Sequence, residues 1–210
     1  MQIMAMITML IDHIGIIFFP GNVAWRIVGR IAFPLYAYGI VLGYLNTRNM
    51  SRYMWRLIGL AAISQVPYIL SLKTLNINVI GTLAVCLAVL IAADRHPRWM
   101  LGSIAVGGLA LEALPFSYGY YALVLILIYR YLDRKYWVIA HFALNLLAFL
   151  LDPDWWVQAF SIFATLYLVY KDVLFADVRF GVTPPRWVWR SFYPAHLAAL
   201  AIVAAMLNVD

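Results

Sequence analysis

Apolar residues in this chain gather in long runs that do not alternate with polar ones. Nine runs can be marked, over residues 3–19, 26–45, 54–72, 77–93, 99–114, 118–132, 136–151, 155–170 and 191–208. Runs of about 15–20 apolar residues fit helices, whereas barrel strands change face at every residue. The pattern predicts an all-α polytopic transmembrane helix bundle of about nine spans, built as a single domain over residues 1–210. Several runs are short for a bilayer, so they would tilt little, thin the membrane locally or be partly buried in protein.

Composition strengthens this reading. The chain is 66% hydrophobic and 11% charged, against roughly a quarter charged in ordinary soluble domains. So much apolar surface has no aqueous solution, and in hydrocarbon only helices or closed barrels satisfy their own backbone. The net charge of +6 could suggest nucleic acid in a soluble protein. Here the cations sit between apolar runs and read as topology signals, so no nucleic-acid partner is expected. The lone Cys86 excludes an internal disulfide and reads as a small buried hydrophobe. The first run has no basic leader and no small-residue cleavage site, so a removed signal peptide is not expected.

The connections alternate in charge. One set holds Arg48, Arg52 and Arg56, then Arg95 and Arg98, then Arg130, Arg134 and Lys135, then Lys171, Arg179, Arg186 and Arg190. The other holds only Arg26 and Lys73, with Asp152 and Asp154. The positive-inside rule places the first set, and with it the N-terminus, in the cytoplasm. The implied location is a cell membrane, with the lipid bilayer as the surrounding partner. Trp187 and Trp189 suit a headgroup interface, and Gly39-x-x-x-Gly43 suits close helix packing.

Polar groups inside apolar runs carry the functional signal, because a charge at mid-bilayer costs about 2.5–3.5 kcal/mol on the insertion scale. Asp12 and His13 lie inside the first run, and Arg30 lies a short way into the second. Counted from the loop between them at about 1.5 Å per residue, Asp12 and Arg30 reach similar depths, so they are expected to pair. Neighbouring residues on a helix point about 100° apart. Asp12 therefore reads as an orienting anion facing another helix, and His13 as a working base facing a cavity. The competing reading is a helix-packing ion pair beside a satisfied histidine. His196 follows Pro194 in the last run and could converge with His13 across the bundle. The run boundaries, however, put His13 in the outer half and His196 nearer the inner face. One site would then need a deep cavity or a tunnel. Ser64-Gln65-Val66-Pro67-Tyr68, Asn76, Asn78, Glu112, His141 and Asn145 read as packing or hydrogen-bonding groups. The chain has no phosphate loop, dinucleotide fingerprint, nucleophile elbow or H-E-x-x-H, and its scattered histidines and single cysteine predict no metal site.

The runs Ile11-Asp12-His13-Ile14-Gly15, Gly29-Arg30-Ile31-Ala32-Phe33-Pro34-Leu35-Tyr36-Ala37, Ser64-Gln65-Val66-Pro67-Tyr68 and Phe192-Tyr193-Pro194-Ala195-His196-Leu197, in this order, resemble the TraX family over nearly the whole chain. That family takes its name from the protein that acetylates the N-terminus of F pilin with acetyl-coenzyme A. The resemblance implies an acetyltransferase of the bacterial inner membrane with acetyl-coenzyme A as donor and a peptide, sugar or lipid as acceptor. It assigns Asp12 and His13 to the family's Asp-His pair, Arg30 to its Gly-Arg motif and His196 to its Tyr-Pro-x-His motif. Acyl transfer from a thioester needs a base and an oxyanion stabiliser. His13 suits the first, and Arg30 or His196 the second. Arg48, Arg52, Arg56, Arg186 and Arg190 could hold the coenzyme phosphates, although each is also an ordinary positive-inside residue. The rival is a proton-coupled small-molecule transporter using the same buried Asp, His and Arg. It would favour paired repeats and an even span count, neither of which is visible. A scaffold without chemistry is a third reading.

Overall fold

The structure, a computed structural model, describes residues 1–174 and 184–209. Every apolar run contains helix. The elements are α1 (Gln2–Phe18), α2 (Val23–Gly29), α3 (Ala32–Asn46), α4 (Met50–Leu72), α5 (Val79–Arg95), α6 (Met100–Ala113), α7 (Gly119–Tyr131), α8 (Trp137–Leu151), α9 (Ile162–Leu174) and α10 (Arg186–Met206). Short 3₁₀ stretches precede α6 and α8, and a longer one, Pro153–Ser161, precedes α9. Among the described residues there is no strand, only one isolated bridge between Ile77 and Phe116. The all-α expectation holds. Arg179 and the middle of the 171–190 connection lie outside the described residues, as does the side chain of Arg186.

Among the described residues, three segments are long and apolar enough to cross a membrane: Val23–Asn46 (α2 and α3 together), Met50–Leu72 and Trp187–Met206. Gln2–Phe18 and Gly119–Tyr131 are apolar but shorter. The expectation of about nine crossings is met by helix length in those three segments alone. The eighth run also departs from a single helix. Asp152 Oδ1 accepts the Asp154 amide at 3.1 Å, Pro153 opens a 3₁₀ stretch, and α-helical geometry begins only at Ile162.

Prolines shape the helices that build the site. Pro34 lacks the N–H that would bond the Arg30 carbonyl four residues back, and its ring crowds that carbonyl. The second run accordingly breaks at Arg30 and Ile31, between α2 and α3. Pro67 in α4 and Pro194 in α10 free further carbonyls inside continuous helices.

The core is built around α3, α5 and α7. Leu35, Leu87, Leu90, Leu125 and Ile126 are fully buried there, and so is Cys86. Outward faces of α4, α6 and α8 carry exposed Ile63, Leu101, Leu109, Phe142 and Leu150, a pattern suited to lipid rather than water. Asp94 ties three helix ends together, accepting from Tyr44, Arg130 and Tyr131 at 2.7 Å each. Asn78 caps α5 and is held in turn by Gln65 and the Ala61 carbonyl, which fixes the α4–α5 connection. His141 and Asn145 share one face of α8 and join a buried network with Tyr121, Ser161 and Thr165. These groups are bound as the packing reading expects. Trp187 is exposed at the start of α10, as an interfacial residue would be. Trp189 instead turns inward and stacks on Tyr36 with ring centres 5.0 Å apart.

Candidate active site

Helix α1 packs against α2 and α3 on one side and α10 on another. Two consecutive residues therefore meet different neighbours. Asp12 faces α2, and His13 faces α10.

Arg30 Nη2 donates to both carboxylate oxygens of Asp12, at 2.8 and 3.0 Å. Its other terminal nitrogen, Nη1, donates to Gln158 Oε1 at 3.3 Å. Both side chains of the ion pair are about nine-tenths buried. Arg26 touches the same carboxylate through Nε at 3.4 Å. The expected Asp12–Arg30 pair is present. Its close approach depends on Gly29, where a Cβ would overlap the Cβ and carboxylate of Asp12. One donor stays uncommitted: Arg30 Nε is buried without a hydrogen-bond partner among the described residues.

On the other side, His13 Nδ1 lies 2.7 Å from His196 Nε2, and His196 Nδ1 lies 2.6 Å from the Phe192 carbonyl oxygen. A carbonyl can only accept, so His196 Nδ1 carries the proton. In the neutral pair His196 Nε2 must then accept, and His13 Nδ1 donates to it. The free lone pair falls on His13 Nε2. The carbonyl thus fixes the tautomer of both rings through one chain of hydrogen bonds. Tyr193 meets both rings edge-on.

The depth expectation for the two histidines is corrected here. Helix α10 begins at Arg186 rather than at 191, so His196 lies ten residues inside it, about 15 Å along the axis. That brings it level with His13.

Both motifs open onto a cavity of about 1300 Å³. Its walls follow the second run from Gly29 to Asn46, about 25 Å at 1.5 Å per residue. One end holds Arg56, Arg190, Tyr53 and Trp189. The other holds Asp12, Arg26, Arg30, Tyr118 and Trp155. Met9, Phe33, Ile40 and Leu60 line the part between. Gly39 is open to this space and contacts no neighbour, whereas Gly43 packs tightly against Tyr53 of α4. The close-packing reading thus applies to the second glycine of the pair. Of the five arginines named for the coenzyme, Arg56 and Arg190 reach the cavity, and the side chain of Arg186 lies outside the described residues. Arg48 and Arg52 are exposed and do not line it. His196 sits behind His13 and is not part of the wall.

The sequence matches the TraX protein family over residues 1–204. The chain belongs to the TraX family. It is also 26% identical over 238 residues to the "Probable fimbrial assembly protein FimC, serogroup H1" of Dichelobacter nodosus, covering 99% of this chain and 96% of that one. No solved structure matches it. Family membership and the three long apolar segments make it a membrane protein. In this TraX protein the Asp-His pair of α1 joins two separate hydrogen-bonded pairs, Asp12 with the Gly-Arg motif at the α2–α3 break and His13 with the Tyr-Pro-x-His motif of α10.

The structure adds residues with weak sequence signals. Tyr118 stacks on Phe33 with ring centres 3.9 Å apart and lies 5.9 Å below the Arg30 guanidinium. Its φ of 70° is left-handed, unusual for a residue with a Cβ. The neighbouring chain holds it there. Tyr120 donates to Glu112 at 2.6 Å, Ser117 donates to the Ile77 carbonyl from both its amide and its hydroxyl, and Tyr68 bonds the Ser117 hydroxyl. The Tyr118-Gly119-Tyr120 turn beside Pro115 was the available hint. Gln158 had none, since its role depends on the unexpected 3₁₀ stretch.

Proposed function

We propose that this TraX protein is an integral membrane acetyltransferase of the inner membrane. Acetyl-coenzyme A enters at the Arg56–Arg190 end, and an amine or hydroxyl acceptor is acetylated near His13. The observation that carries the proposal is the hydrogen-bonded chain His13–His196–Phe192 carbonyl, which leaves Nε2 of His13 as its free lone pair, together with a place for His13 in the cavity wall. The name of the Dichelobacter relative, "Probable fimbrial assembly protein", fits a pilin-related role.

The charge alternation supports a cytoplasmic N-terminus and about nine crossings, with the short helices shielded by their neighbours. The arginine end then faces the compartment that holds the coenzyme. Arg56 and Arg190 suit its phosphates. From Gln2 to His13 is about 16 Å along α1, a path that the long thioester arm of the coenzyme can follow between apolar walls.

In the reaction, His13 Nε2 takes the proton from the acceptor as its nitrogen or oxygen attacks the thioester carbonyl carbon. Negative charge gathers on the carbonyl oxygen, and the positive charge of Arg30 on the cavity wall stabilises it. The carbon–sulfur bond then breaks, and the His13 imidazolium returns its proton to the departing thiolate. Asp12 holds Arg30 in place, and His196 holds the His13 tautomer. A proton pathway is less well served, because the histidine chain ends on a backbone carbonyl that cannot pass a proton onward. Consumption of acetyl-coenzyme A by the protein in nanodiscs, compared with His13→Ala, tests the proposal.

A further inference from the structure

The charge of the cavity is unbalanced. Among the described residues that line it are four arginines, Arg26, Arg30, Arg56 and Arg190, and one carboxylate, Asp12. Arg30 alone neutralises that carboxylate with two contacts of hydrogen-bond length. Arg26 is therefore surplus. Its 3.4 Å contact from Nε to Asp12 is its one ion pair or hydrogen bond with the described residues. Four guanidinium N–H groups are left without a partner among the described residues. Its side chain is 34% exposed, against 11% for Arg30. Nearby acids do not cancel it. Glu112 caps the Tyr120 amide, Asp152 caps the Asp154 amide, and neither they nor Asp154 lines the cavity.

Arg26 also lies at the far end of the cavity from Arg56 and Arg190, beside the Asp12–His13 step of α1 and near Tyr118 and Trp155. A coenzyme whose phosphates rest on Arg56 and Arg190 leaves it free. Partly exposed arginine with unused forked donors is suited to phosphate or carboxylate. We infer that Arg26 binds an anionic group, phosphate or carboxylate, on the acceptor, and that the site selects anionic acceptors over neutral and cationic ones. The word acceptor rests on the acetyltransferase reading; the anion site itself does not. A free ammonium alone is disfavoured by the net positive charge, so an amine acceptor needs its own anion close to the nitrogen.

The test uses a matched pair, glucosamine and glucosamine 6-phosphate, with the full chain in nanodiscs of phosphatidylcholine. Binding is measured directly by calorimetry, and acetyl-coenzyme A consumption is followed separately. The phosphorylated sugar should bind about tenfold or more tightly than the unphosphorylated one, the size of a charge-assisted contact. Arg26→Gln should remove the preference, and Arg26→Lys should keep part of it. An unfolding midpoint for each variant guards against a folding defect; should Arg26→Gln not fold, Arg26→Lys carries the comparison. Equal binding of the two sugars, no binding of either, or a preference unchanged by both substitutions overturns the inference. The preference intact without any thioester consumption leaves the anion site standing and removes the acetyltransferase reading. Repeating the titration with phosphatidylglycerol in the disc separates two sources of the anion. Competition by this lipid assigns the site to a lipid phosphate, and its absence assigns it to a soluble acceptor.

Discussion

His13 and His196, 183 residues apart in sequence, meet through a 2.7 Å contact between Nδ1 and Nε2. The second ring is anchored by the Phe192 carbonyl, one turn back on its own helix. The consequence is chemical. A histidine whose Nδ1 is committed to a fixed acceptor presents Nε2 to the cavity as a base rather than as a donor.

The two histidines should therefore respond differently to substitution. His13→Ala should lower acetyl transfer by about 100-fold or more, the usual weight of a general base. His196→Gln should lower kcat by about tenfold, as loss of an orienting partner does, with KM for acetyl-coenzyme A and the unfolding midpoint unchanged. Steady-state kinetics on the two variants separate the roles. Equal losses in both would mean that His196 acts on the substrate directly.

Asp12 is the one carboxylate between two arginines. Asp12→Ala strands Arg30, whose side chain is about nine-tenths buried, and removal of one partner from a buried pair costs about 3–5 kcal/mol. Denaturant unfolding in detergent should record a loss of that order. Arg30→Gln added to Asp12→Ala should recover part of it, because the two effects share one interaction.

Gly29 and Gly39 provide a matched comparison. A Cβ at Gly29 overlaps Asp12, whereas one at Gly39 meets open space. Gly29→Ala should cost about 1–3 kcal/mol through overpacking and reduce turnover by displacing the Asp12–Arg30 pair. Gly39→Ala should leave stability unchanged or raised, since alanine favours helix. Thermal unfolding of both variants checks the ordering.

Arg56 and Arg190 line the arginine end of the cavity, and Arg48 and Arg52 do not. Arg56→Gln and Arg190→Gln should raise KM for acetyl-coenzyme A while leaving kcat close to wild type, the signature of binding lost equally from ground and transition states. Arg48→Gln and Arg52→Gln should change KM little. A rise of the same size in all four would point to a general surface field instead of a site.

The legible parts of this molecule were those that depend on counting. Most of the apolar runs foretold their helices to within a few residues, the eighth and ninth being displaced at their starts, and Asp12 and Arg30 were matched because both depths are measured from one short loop. Counting failed where a boundary was wrong. Arg186, Trp187 and Arg190 read as a polar connection, yet they form the first turns of α10, and the error moved His196 away from His13. Contacts across the bundle left little trace. Tyr118 takes its position from a left-handed turn fixed by Glu112, Ile77 and Ser117, and Gln158 reaches Arg30 from a 3₁₀ stretch that looked like ordinary helix. The tautomer of His13 depends on a carbonyl in another helix, which no spacing rule reaches.

The central claim is tested most directly by following radiolabelled acetyl-coenzyme A with the purified protein in nanodiscs, alongside His13→Ala and in the presence of a mixed pool of peptides, sugars and lipids. Labelled product, or accelerated thioester hydrolysis, that disappears in His13→Ala is the predicted result. Turnover that survives the substitution in a folded variant would contradict His13 as the base. No turnover and no binding of the coenzyme would contradict the acetyltransferase itself.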